Sequence, residues 1–128
     1  KNDYYRLLRA VTVEGSWVDW VIYMLEVVQD SAESTLRKIG AIRSCQEEIG
    51  ERARAVSAGG RDARLLTVLF EQPYCRISTV VERCEVSRQT ASTWLHALAE
   101  ARLLQAFKVG RDLVFVNHEF LNVLTRDD

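Results

Sequence analysis

Apolar side chains recur at three- and four-residue spacing through most of the chain, so the pattern is written mainly in helices. The first run, Tyr4, Tyr5, Leu7, Leu8 and Val11 behind Asp3 as a cap, predicts a short helix that stops at Glu14-Gly15. Ser16, with Asp19 three residues on, opens a second helix through Trp17, Trp20, Val21, Met24, Leu25 and Val28. Val21, Val28, Thr35, Ile42, Ile49 and Val56 then fall at seven-residue intervals, with Leu25, Ala32, Ile39 and Ala53 four residues after members of that series. The spacing predicts one helix from about Trp17 to about Ser57, whose stripe packs on another helix of the same chain or of a partner. Those six heptad positions are the candidate interface. Glu26, Glu33, Lys38, Arg43, Glu47 and Arg54 mark the solvated face, and Gly40 and Gly50 are where a kink or break would fall.

Ser57-Ala58-Gly59-Gly60 ends the helix and reads as a hinge, dividing a helical segment over residues 1–60 from a second unit over 61–128. Beyond it, Leu65, Leu66, Val68, Leu69 and Phe70 lie in a helical pattern from Arg61 to Gln72 that Pro73, the only proline, terminates. Cys75-Arg76-Ile77 predicts a short strand, and Ser78 to Cys84 a short helix capped by Ser78. A turn through Glu85 and Val86 leads to a helix capped by Ser87, with Ala91, Leu95 and Leu98 as its buried stripe. Two runs of β-formers, Leu104 to Lys108 and Asp112 to Val116, flank Gly110 and predict a hairpin; Asn117 can cap a last helix through His118, Phe120, Leu121 and Leu124. Helix, strand, helix, helix, hairpin is the order of a winged helix-turn-helix, so the expected fold is mainly α with a small hairpin wing.

The Ser87 helix would be the second helix of that motif, the one that enters a DNA major groove. Arg88, Gln89, Thr90, Ser92 and Thr93 fall in its first turns, and Lys108 and Arg111 on the wing. Arginine and glutamine can grip base edges bidentately, while serine and threonine serve phosphates. Double-stranded DNA is thus one candidate partner, and a protein target or a second copy of the chain are others. Charge tempers the first. The 128 residues carry a formal net charge of −1, and Glu82 and Glu85 adjoin the candidate surface. Wholesale phosphate neutralisation is excluded, and DNA contact would need a local patch. The opposing reading has Ser87, Thr90 and Ser92 capping and solvating the helix while Arg88 pairs with Glu85 or Glu82.

At 48% hydrophobic the chain can bury a core. Cys45, Cys75 and Cys84 are odd in number and widely spaced, which suits a reducing cytoplasm rather than a disulfide framework or a zinc site. No apolar run approaches a membrane span, so no membrane partner is expected. His96 and His118 are the only histidines, with no serine, cysteine or carboxylate at suggestive spacing and no Gly-rich phosphate loop. No catalytic residue, cofactor, metal or small-molecule substrate is expected of this chain. Trp94 is assigned to packing at the edge of the core, and Trp17 and Trp20 to anchoring the long helix. Arg102 stands where such helices usually turn into the wing through a glycine.

Asn2-Asp3-Tyr4-Tyr5-Arg6-Leu7-Leu8, then Gly15-Ser16-Trp17-Val18-Asp19-Trp20 with Met24-Leu25-Glu26, and later Leu69-Phe70-Glu71-Gln72-Pro73-Tyr74 and Ser87-Arg88-Gln89-Thr90-Ala91-Ser92, carry a resemblance. Together they look like the C-terminal part of bacterial Fic (filamentation induced by cAMP) proteins. The resemblance implies that the first two helices are the last helices of a Fic fold, with a winged helix appended. The family's His-Pro-Phe-x-x-Gly-Asn-Gly-Arg loop is missing, since neither His96 nor His118 precedes a proline, so no catalytic residue carries over. The resemblance further implies a parent protein that transfers AMP from ATP to protein hydroxyls. This chain, opening at Lys1 without methionine, is then expected to be a fragment supplying regulation, oligomerisation or targeting. A self-standing winged-helix transcriptional regulator and a dimerisation module are the alternative readings.

Overall fold

The computed structural model describes residues 2–126. Compactness divides the chain between Lys38 and Ile39. Helix α1 (Asn2–Glu14) and the start of α2 (Trp17–Val56) form the first unit. Gly15 links them at φ +69°, its N–H donating to the Val11 carbonyl at 3.1 Å, a left-handed helix end that glycine adopts at no steric cost. Leu7 is buried, and Tyr4 meets Trp20 edge-on with ring centroids 5.5 Å apart. Trp20 thus anchors the helix as expected. Trp17, 62% exposed, does not.

The second unit begins within α2, which continues as helix through Gly40 and Gly50. A 3-10 turn (Ala58–Arg61) follows, then α3 (Ala63–Glu71), β1 (Tyr74–Arg76), α4 (Ile77–Cys84), α5 (Arg88–Glu100), β2 (Gln105–Val109), β3 (Asp112–Val116) and α6 (His118–Thr125). The fold is mainly helical with a small antiparallel sheet of order β1-β3-β2, as the hydrophobic pattern predicts. Pairing of Val109 with Asp112 leaves Gly110-Arg111 as a two-residue hairpin loop, and Gly110 at φ +62° supplies the required first position.

One core cluster joins Leu65, Val68 and Leu69 of α3, Val80 and Cys84 of α4, Ala91, Leu95 and Leu98 of α5, and Phe115 of β3. Ala53 near the end of α2 belongs to it. A second cluster packs Cys45 and Ile49 of α2 on Phe120 and Val123 of α6, with Phe70 against it; Phe70 and Phe120 meet edge-on at 5.1 Å. The heptad stripe is therefore not one uniform surface. Ile49 is fully buried inside the chain's own core and Ile42 is half-buried, whereas Val21, Val28, Thr35 and Val56 are exposed.

Two local expectations change. The segment 57–60, read as a flexible hinge, is a 3-10 turn in which Ser57 Oγ accepts from the Gly59 N–H and both glycines are buried. A β-carbon on Gly60 would stand 2.2 Å from the Ala53 backbone, so glycine is there for close approach rather than for freedom. The N-cap of α4 is Arg76, without a side-chain cap bond, and Ser78 lies inside the helix.

Candidate nucleic-acid interface

Ser87 caps α5 as predicted: its Oγ accepts from the Thr90 N–H at 3.1 Å and donates to Thr90 Oγ1 at 2.9 Å. With Ala91, Leu95 and Leu98 buried, helical spacing turns Arg88, Gln89 and Thr93 outward, and all three are exposed. Ser92 is half-buried and engaged with His96, whose Nδ1 lies 2.8 Å from the Ser92 carbonyl and 3.2 Å from its hydroxyl. The seven sequence-predicted residues thus separate by role. Thr90 and Ser92 are committed to local bonds, while Arg88, Gln89, Thr93, Lys108 and Arg111 present exposed polar groups.

Electrostatics around α5 follow from where the acids are spent. Glu85, at φ +54° where α4 ends, pairs with Arg64 at 3.2 Å. Arg64 in turn holds Asp62 at 3.3 Å, and Asp62 caps α3 through the Arg64 N–H at 2.8 Å. The Arg64 side-chain hydrogen bond holds the Asp62 carboxyl below its ordinary value. On the wing side Asp112 faces Arg76 at 3.9 Å. Among the described residues Arg88, Lys108 and Arg111 make no ion pair, so Arg88 pairs with neither Glu85 nor Glu82, and Glu85 is taken by Arg64 instead. Sequence spacing could not find this, because Arg64 is 21 residues from Glu85.

The helix end bears on the wing. Arg102 N–H donates to the Ala99 carbonyl at 3.0 Å and Leu103 N–H to the Leu98 carbonyl at 2.9 Å, a Schellman motif with Arg102 at φ +65°. The left-handed turn flagged from sequence is present, with arginine in it. The cysteines are buried and free, and burial pushes the Cys75 thiol up to about 12. Among the described residues no group of three or more histidines, cysteines or carboxylates could hold a metal ion, and no helix is long and apolar enough to cross a membrane.

Residues 46–120 match the family model of the C-terminal domain of SoFic-like protein adenylyltransferases. The matched stretch is more than half of the chain, running from the last turns of α2 into α6.

Proposed function

We propose, from the premise that this chain belongs to the SoFic-like adenylyltransferase C-terminal domain family, that it serves a Fic-type parent as a regulatory and interaction module without catalysing AMP transfer itself. Its winged helix binds double-stranded DNA in the cytoplasm. The observation carrying the DNA reading is that Arg88 stands exposed and unpaired among the described residues on the outer face of α5, beside Gln89 and Thr93. Lys108 and Arg111 offer two further exposed cations on the hairpin, without an ion pair among the described residues. A patch of this size fits modest, salt-sensitive affinity, since each neutralised phosphate contributes about 0.9 to the slope of log K against log salt.

Fluorescence anisotropy of a labelled duplex across a salt series tests the reading. Binding that weakens linearly with log salt, and is lost in Arg88→Glu, supports it; no binding at low salt overturns it.

Self-association is the second reading, favoured by the apolar side chains that α2 leaves exposed in the first unit, Trp17, Val18, Val21, Leu25 and Val28 among them. Sedimentation that shows a monomer at high concentration removes it.

A further inference from the structure

The end of α5, the Arg102 turn, the start of β2 and the first residue of α6 enclose an open cleft of about 560 Å³. Its volume lies in the range of small-molecule sites, roughly 300–1,000 Å³. Ala99, Leu104 and Ala106 give it an apolar lining, and Glu100 and Arg102 supply one charge of each sign. Neither forms an ion pair among the described residues. Two imidazoles complete the walls. His96 has its Nδ1 against Ser92, 2.8 Å from the carbonyl and 3.2 Å from the hydroxyl. His118 has Nδ1 buried with no hydrogen-bond partner, an arrangement that folded proteins rarely leave unfilled.

Arg102 is the second observation. Its backbone sits at φ +65°, where glycine would be unstrained, and its side chain is exposed and lines the cleft. A strained backbone that retains a charged side chain points to work done by that side chain.

We propose that this cleft binds a small zwitterion of the α-amino-acid type. The ligand's carboxylate pairs with Arg102, its ammonium with Glu100, and its apolar side chain covers Ala99, Leu104 and Ala106. A ligand with both charges can pair with both exposed side chains, whereas a simple anion or a simple amine can pair with only one. The His118 ring lines the same cleft and so reports on its occupancy. The cleft lies at the C-terminal end of α5, about three turns beyond Arg88 and Gln89, and shares no lining residue with the candidate DNA contacts, so its test needs no DNA.

The test is calorimetry and histidine-ring NMR on the 128-residue chain with L-phenylalanine and L-leucine, set beside 3-phenylpropionate and 2-phenylethylamine, each of which lacks one charge. Saturable binding of an amino acid with a shift of the His118 ring, weakened about tenfold or more in both truncated compounds, is the expected result. Arg102→Gly removes the guanidinium from a turn that glycine suits, and Glu100→Gln removes the carboxylate; each should weaken binding about tenfold or more while urea unfolding shows a folded chain. Absence of binding by both amino acids, equal binding of 3-phenylpropionate, or unchanged binding in Arg102→Gly overturns the proposal.

Discussion

Trp94 lies so close over Gly59 that a β-carbon there would stand 2.5 Å from the indole Cδ2 and 2.8 Å from Leu65 Cδ2. The short turn that ends α2 is therefore fitted under α5, and Trp94 packs against the core. Gly59→Ala must push the indole or Leu65 aside, which places it among overpacking changes that cost about 1–3 kcal/mol. Urea unfolding should show that loss, and a neutral result would mean that the turn is loose after all.

Asn117 joins two layers with one side chain. Its Nδ2 donates to the Leu69 carbonyl at 3.1 Å while its Oδ1 accepts from the Phe120 N–H at 3.3 Å, and the residue is almost completely buried. Asn117→Asp keeps the cap but removes the donor to Leu69, whereas Asn117→Ala removes both. The alanine variant should lose about 2 kcal/mol or more in chemical denaturation, from a lost cap and an unsatisfied buried carbonyl together. Equal stability of Asn117→Ala and the parent chain would contradict this account.

Much of the fold is legible in the sequence because local rules suffice for it. Ser87 and Asn117 cap the helices they precede, Gly110 turns the hairpin, and the Ala91, Leu95, Leu98 stripe is buried. What was hidden depends on contacts between distant residues. Gly59-Gly60 has the composition of a hinge, yet its neighbours are Trp94 and Ala53. The seven-residue series reads as one stripe, but only Phe120 and Val123, some seventy residues on, decide that Ile49 is core. The candidate site was half legible: spacing gives the outer face of α5, while the engagement of Glu85 by Arg64 and the cleft beside Arg102 required the folded chain.

Arg102 offers a stability test independent of any ligand. At φ +65° its β-carbon meets the following carbonyl, a conformation costing a non-glycine residue roughly 1–2 kcal/mol, partly offset by the larger unfolded-state entropy of glycine. Arg102→Gly should therefore raise the unfolding free energy by about 0.5–1 kcal/mol. Destabilisation instead would show that the guanidinium contributes more to the fold than its exposure implies.

Asp62 makes stability depend on acid. Its folded carboxyl titrates below the ordinary value of 3.8 because of the Arg64 side-chain hydrogen bond. The unfolded chain thus binds a proton first as pH falls, so this contribution is fully present above the unfolded value and is lost as pH falls through the folded one. Asp62→Asn retains an oxygen for the cap but not the charge. Between pH 6 and acid, the parent should lose stability more steeply than the variant in parallel thermal melts, and identical slopes would remove Asp62 from the account.

Ser87 and Arg88 are neighbours with opposite predicted effects, and that separates structure from recognition at the candidate interface. Ser87 satisfies the Thr90 N–H at the start of α5, so Ser87→Ala should cost about 1 kcal/mol of stability. Once folded, it should leave the salt slope of duplex binding unchanged. Arg88 is exposed and unpaired among the described residues, so Arg88→Ala should be close to neutral in stability. It should lower the salt slope by about 0.9 if Arg88 neutralises one phosphate. Paired urea and anisotropy titrations on both variants read the two effects separately. If Arg88→Ala destabilises the fold while the salt slope stays fixed, α5 presents a structural arginine and the DNA reading fails at its central residue.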